Sequence, residues 1–172
     1  MRRRATLLAT AVALLARAAG ADDAPIRALA VGDASGHVRP LGERLGDAPA
    51  LVAFWASYCL PCREEVPALR RAAKRWAGRG VRVVGVATDA ESPAELHRAT
   101  GAWGVDYESF WVPASSDAAV EALLPHGLPA LFAIVADRTS RRDERLDDAA
   151  IDALVETLLT AAPRSTGRPP AP

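Results

Sequence analysis

The sequence predicts an α/β fold, a layered β-sheet with helices packed against it. Three observations carry that prediction. Residues 51–55, 81–87 and 131–135 are continuous apolar runs of strand length, the pattern of strands buried on both faces. Segments with helical spacing lie between and after them, so strands and helices alternate along the chain. The last such segment places Ile151, Leu154, Val155, Leu158 and Leu159 at i, i+3, i+4, i+7 and i+8, the cleanest helical face in the sequence.

The elements follow in order. Residues 26–31 and 37–41 flank a Gly-Asp-Ala-Ser-Gly turn and predict a short hairpin. After the strand at 51–55, a helix opens at Cys59. Its apolar stripe is Val66, Leu69, Ala73 and Trp76, and Gly78 and Gly80 end it. The strand at 81–87 follows. Ser92-Pro93-Ala94-Glu95 is a capping-box start with proline at the first helical position, and that helix ends near Gly101. Residues 107–112 are aromatic and β-prone. Ser116 caps a short helix reaching Leu124, and Gly127-Leu128-Pro129 leads into the strand at 131–135. In residues 138–148, eight of eleven side chains are charged, which predicts a solvated turn and edge strand. Asp147 or Asp148 caps the final helix.

Three regions divide the 172 residues. Residues 1–21 have the pattern of a secretory signal: Arg2-Arg3-Arg4, an apolar stretch over 5–16, and Ala19-Gly20-Ala21 as a small-x-small cleavage site before Asp22-Asp23. A second small-x-small pattern lies at 16–18. The alternative is an uncleaved anchor, but the apolar stretch is shorter than the roughly 20 residues a spanning helix needs. Residues 22–162 form one folded domain. Residues 163–172, rich in proline with Gly, Ser and Thr, read as a disordered tail. Charge is balanced at 21 basic against 21 acidic residues, yet four arginines and no acid fall within residues 1–21. The rest is therefore mildly acidic, which argues against nucleic acid or an anionic membrane surface as partner.

Only two cysteines are present, Cys59 and Cys62. An exported protein meets an oxidising compartment, and these two can bridge only to each other. The loop so closed is too small to add much stability by chain entropy, so chemistry is the better explanation. A buried strand runs directly into the helix that carries them. A helix start holds unpaired N–H groups and partial positive charge, which stabilise an anion. Cys59 is therefore expected to be the attacking thiolate and Cys62, one turn further in, the resolving sulfur, with Pro61 fixing the turn between them. A zinc half-site would need two further ligands, and only His37, His97 and His126 are available. No metal site is predicted, and the redox disulfide takes the place of a cofactor.

Phe54-Trp55-Ala56-Ser57-Tyr58-Cys59-Leu60-Pro61-Cys62-Arg63-Glu64-Glu65-Val66-Pro67 resembles the active-site segment of the thioredoxin superfamily. More narrowly it resembles the TlpA/ResA-like exported thiol–disulfide oxidoreductases, which include reductases of cytochrome c maturation. Their pattern is F-W-A-x-W-C-x-P-C-R-x-E-x-P, and Tyr58 is the one departure from its fixed positions. The resemblance covers about residues 26–162. It implies a thioredoxin-like fold, with a central mixed β-sheet flanked by helices and an N-terminal β-hairpin extension. It implies Cys59 as nucleophile and Cys62 as resolving cysteine. Glu65 matches a glutamate near the active site, Pro67 a proline that kinks the first helix, and Pro129 a cis-proline opposite the cysteines. Trp55, Tyr58, Leu60, Pro61, Leu128 and Pro129 are the candidate substrate-binding residues, with the Leu128 backbone pairing an extended substrate.

Two departures carry expectations of their own. Ala53 stands where many relatives have Asp or Asn, which leaves proton transfer at Cys62 to Glu65 or water. Asp137-Arg138-Thr139-Ser140 lacks the glycine of a common turn, so the following strand is expected to be short and weakly paired.

The function these features imply is reduction of disulfides in exported proteins, in the periplasm or another extracytoplasmic compartment. The partners are protein thiols and disulfides, with a membrane thiol-electron transporter as donor and the protein acting as a monomer. Leu60 and Pro61 offer no hydrogen bond to a thiolate, and Leu60 is expected to lower the local dielectric, which favours a reductant. Two other readings stand beside this one. A peroxiredoxin needs Thr three residues before its reactive cysteine, where this chain has Ala56. A copper-binding or copper-delivery module of the same fold would use both thiolates as soft ligands.

Overall fold

The computed structural model describes residues 24–136 and 138–161. The predicted signal at 1–21 and tail at 163–172 lie outside the described residues, as does Asp137. Seven strands form one mixed sheet: β1 (Ala30–Gly32), β2 (Val38–Pro40), β3 (Ala50–Trp55), β4 (Arg82–Ala87), β5 (Ser109–Trp111), β6 (Ala130–Val135) and β7 (Arg138–Arg142). Their spatial order is β2-β1-β5-β4-β3-β6-β7. The helices are α1 (Ala24–Ala28), α2 (Leu41–Leu45), α3 (Leu60–Trp76), α4 (Pro93–Trp103), α5 (Asp117–Leu123) and α6 (Asp148–Ala161). This is a thioredoxin-like fold.

β3 lies at the centre and is buried along its whole length. It pairs in parallel with β4, from Ala50↔Arg82 to Trp55↔Ala87. On its other edge it pairs antiparallel with β6, from Ala50↔Ile134 to Phe54↔Ala130. Alternate side chains enter opposite cores, as strand geometry requires. Leu51 and Ala53 pack with Leu69, Ala72 and Trp76 of α3 and Ile151, Val155 and Leu158 of α6. Val52 and Phe54 pack with Ile26, Leu29, Leu41 and Leu45 on the other face.

The predicted hairpin needs correction. Residues 26–28 belong to α1, and the paired strands are shorter, β1 with β2 from Ala30↔Pro40 to Gly32↔Val38. α1, Leu29 just after it, and α2 place Ile26, Leu29, Leu41 and Leu45 against the sheet, which an extended 26–31 segment would not do. The aromatic strand is also shorter than its β-prone stretch. Ser116 precedes α5 but makes no capping bond; its hydroxyl donates to the Ala30 carbonyl at 3.3 Å. Asp147 is the cap of α6, its Oδ1 accepting the Ala150 N–H at 2.9 Å. β7, expected to be short and weakly paired, pairs with β6 over its full five residues, Val135↔Arg138 to Leu131↔Arg142. Backbone pairing to a buried neighbour suffices there without an apolar pattern in β7 itself.

α3 and α6 also meet through charge. Arg71 and Arg75 pair with Asp148, Arg75 with Asp152, and Arg79, just past α3, with Glu156. The partners recur every four residues on both segments, so the rows stay in register. Asp148 is pulled down to about 2, chiefly by the hydrogen bond from Arg71. The Trp76 Nε1–H donates to Asp152 at 2.7 Å beneath this row.

Gly32 is fixed by a close approach rather than by a turn. It pairs with Trp111, whose indole lies across it and donates from Nε1 to the Asp33 carbonyl at 2.8 Å. A Cβ at this position would overlap the indole ring. Gly32→Ala is expected to cost about 1–3 kcal/mol by overpacking. Urea unfolding followed by tryptophan fluorescence would measure it, and an unchanged midpoint would contradict this packing.

Candidate active site

β3 ends at Trp55, and only residues 56–58 separate it from Cys59, the N-cap of α3. Two bonds tie this short connection to the parallel neighbour β4. The Thr88 N–H donates to the Trp55 carbonyl at 2.8 Å, and the Ser57 N–H donates to Asp89 Oδ2 at 2.8 Å. The Ser57 hydroxyl donates to the same carboxylate oxygen. Asp89 was not legible as a site residue. Its signal is positional: parallel strands end level, so the residue after β4 lands beside the residue after β3.

Cys59 and Cys62 form a disulfide, with their Cα atoms 5.3 Å apart. The Cys62 N–H donates to Cys59 Sγ at 3.2 Å, so one of the unpaired donors of the helix start is aimed at that sulfur. Pro61, at the start of the helix, lacks an N–H where no intrahelical acceptor exists. The two sulfurs are not equivalent. Both are buried, Cys59 at 7 % and Cys62 at 4 % exposure, but Cys59 lines a groove of about 790 Å³ and Cys62 does not.

Tyr58, Leu60 and Pro61 border the groove on the α3 side, and Leu128 and Gly127 on the other. The Leu128–Pro129 peptide bond is cis. Pro129 is half-buried and is not among the groove residues. Trp55, expected at the groove, is 2 % exposed and packs behind the disulfide, its ring 5.0 Å from that of Trp103. Strand alternation explains the difference, since Trp55 shares the face of Leu51 and Ala53. Leu60 also departs from expectation. It is 68 % exposed, so its side chain stands largely in water. The apolar surroundings of the pair come from behind, from Trp55, Ala56, Ala87, Leu96 and Trp111.

Glu65 is buried one turn beyond Cys62 and is 3 % exposed, unlike the exposed Glu64. Its Oε1 accepts the Leu146 N–H at 2.8 Å. Burial raises its pKa, opposed by that hydrogen bond and by the charge of Arg145. Tyr107, buried nearby, is held neutral by burial first and by Glu65 and Asp106 after it. Leu146 is the one apolar residue in the charged stretch 138–148, and that isolation was the readable sign of a buried contact. Ala53, in the middle of β3, is 2 % exposed between Gly85 and Leu131. His37, His97 and His126 are exposed, and none lines the groove.

Residues 17–139 match the model of the AhpC/TSA family. The chain belongs to that family. Solved structures agree on the fold. A secreted Mycobacterium tuberculosis disulfide oxidoreductase homologous to E. coli DsbE is 21% identical, with a TM-score of 0.62 over 79% of this chain and 99% of that one. M. tuberculosis DsbF, in mixed oxidised and reduced forms, is 22% identical with a TM-score of 0.63, covering 78% and 97%. A thiol:disulfide interchange protein of the thioredoxin family from Chlorobium tepidum is 24% identical, with a TM-score of 0.62 over 78% and 95%. Within this family the chain is a thioredoxin-superfamily member with a C-x-x-C disulfide at the mouth of a groove.

Two measurements test the site. Limiting alkylation of the reduced protein near neutral pH is expected to label Cys59 ahead of Cys62; the reverse order would contradict the asymmetry of the pair. For Glu65, a raised native pKa means that the folded carboxyl keeps its proton to higher pH than the unfolded one. Stability is therefore lost as pH rises from the ordinary value of 4.5 through the native pKa, and no penalty exists below it. Glu65→Gln retains an oxygen for Leu146 without the titration. Its urea midpoint, relative to the parent, is expected to shift in the variant's favour between about pH 4 and pH 8. A pH-independent difference would show that Glu65 does not titrate in this way.

Proposed function

We propose that this protein is an exported thiol–disulfide oxidoreductase that reduces disulfides in other exported proteins. The observation that carries the reading is the asymmetry of the pair: Cys59, at the N-cap of α3, faces an open groove while Cys62 lies behind it. In the reduced protein, the Cys59 thiolate attacks one sulfur of a substrate disulfide. The substrate S–S bond breaks, a mixed disulfide forms on Cys59, and the other substrate sulfur leaves as a thiolate and takes up a proton. Cys62, deprotonated, then attacks Cys59 Sγ. The mixed disulfide breaks, the second substrate thiol leaves, and the Cys59–Cys62 disulfide closes. Two electrons have passed to the substrate. A dithiol donor returns them, and the resemblance implies a membrane thiol-electron transporter for that role.

Glu65 is the side chain we assign to the proton of Cys62. It follows Cys62 by one turn on the inward face of α3, and its raised pKa brings it nearer the range in which it can exchange a proton at neutral pH. Trp55, packed with the two cysteines, keeps bulk water from that side of the pair.

Export is supported by the basic and apolar pattern of residues 1–21, and one of the similar structures is of a secreted protein. No helix among the described residues is long and apolar enough to cross a membrane. Apocytochrome c and a copper-site assembly protein are two of several client classes that fit this reading. A Cys62→Ser variant, which stalls at the mixed disulfide, would trap and separate them.

The reducing direction rests on how little stabilises the Cys59 thiolate. Its sulfur has the helix start and the Cys62 N–H, while Leu60 and Pro61 supply neither charge nor donor. A weakly stabilised dithiol gives up its electrons readily. The midpoint is expected nearer the thioredoxin value of about −270 mV than the about −120 mV of a strong oxidant, and one on the oxidising side of about −180 mV would overturn the reductase reading. Equilibration with graded dithiothreitol or glutathione buffers measures it. Insulin reduction should be accelerated by the parent and not by Cys59→Ser. Titration of the reduced thiols with Cu(I) in parallel separates a copper module, which would bind the metal tightly without reducing insulin.

A further inference from the structure

The groove in front of Cys59 carries a charge pattern that disulfide exchange alone does not require. α5 and the residue that follows it turn Asp117, Val120, Glu121 and Leu124 toward it, spaced i, i+3, i+4, i+7 as on one helical face. Across the groove stand Tyr58 and Leu60, 75 % and 68 % exposed. The lining holds these two carboxylates and no lysine, arginine or histidine. Arginines elsewhere take up acids in pairs, as at Asp106, Asp148, Asp152 and Glu156. Asp117 and Glu121 form no ion pair among the described residues. Two large apolar side chains and two unpaired carboxylates thus flank one reactive sulfur.

We propose that the substrate of this site is an extended polypeptide with a basic side chain beside its reactive cysteine. Asp117 and Glu121 receive the basic group, and an apolar neighbour rests on Tyr58 and Leu60. This rests on the oxidoreductase reading and adds the substrate class. Both carboxylates are exposed, so their attraction is long-ranged and screened by salt. They act on the rate of productive encounter more than on the tightness of a final complex. An acidic segment would meet like charge at the same place and be turned away.

Three synthetic peptides of equal length would test this, with two arginines, two glutamines or two glutamates flanking a central cysteine. Each carries that cysteine as a 2-thiopyridyl disulfide, and each rate with the reduced protein is divided by its rate with dithiothreitol. At low ionic strength the expected order is Arg, then Gln, then Glu, with about tenfold or more between the extremes. The Arg-to-Glu ratio should fall toward one in about 1 M salt, and at low salt in the Asp117→Asn/Glu121→Gln double variant. Ratios are taken within each protein, so a change in overall reactivity does not enter. An equal or reversed order in the parent, or a ratio unchanged in the double variant, would overturn the proposal. If the variant does not fold, the order and salt response of the parent still decide it. Hydroxyethyl disulfide is the neutral control. If the parent reduces it without charge order among the peptides, the substrate class fails alone; if the parent does not react with it, the oxidoreductase reading fails.

Discussion

The site depends on β3 having no free face and no free edge. Its six residues are buried, β4 is bonded along one side and β6 along the other, and helices cover both faces. A strand held in this way cannot slip in register, because a shift of one residue would move every side chain to the wrong core. Its end is therefore a fixed point. The connection from Trp55 to Cys59 is short and is tied to Thr88 and Asp89 at the level end of β4. Cys59 arrives as the N-cap of α3 for that reason, and the N–H groups of the helix start meet a sulfur instead of a hydroxyl or carboxylate. The chemistry is local in sequence, but its placement comes from the centre of the sheet.

The redox pair divides the molecule into a wet side and a dry side. On the groove side, Tyr58 and Leu60 stand in solvent and Cys59 lines the groove floor. Behind it, Cys62, Trp55 and Glu65 lie in the interior. Glu65 is the costly member of that interior, since an ionised carboxylate there has one backbone N–H and the charge of Arg145 to offset the loss of water. A group whose burial is so poorly compensated is seldom retained for stability, which agrees with the proton-transfer role assigned to it.

The features legible in the sequence are those whose signal is contiguous. β3, β4 and β6 announce themselves as apolar runs, α3 and α6 as long helical faces, and Cys59 and Cys62 as neighbours. What escaped is short or non-local. α1 and α2 have five residues each, fewer than two turns, so no period can establish itself and the β-prone residues around Ile26 read as strand. β7 has the composition of a loop because its pairing with β6 is a backbone affair. Asp89, Asp117 and Glu121 are ordinary surface acids until the fold carries the first to Ser57, in the connection before Cys59, and the other two to the groove. Trp55 was within reach of the sequence, since alternation from Leu51 and Ala53 already turns it toward α3 and away from the groove.

The two outer strands of the sheet bear on how the proposed polypeptide client meets the molecule. An exposed edge is a template for any extended segment that presents matching N–H and C=O groups. β7 meets solvent with Arg138 and Arg142, and β2 at the far end closes on Pro40, which has no N–H to give. Such edges discourage β-strand addition by a client or by a second molecule. The proposed client is thereby left to engage at the groove in front of Cys59, transiently, and to depart once the exchange is complete.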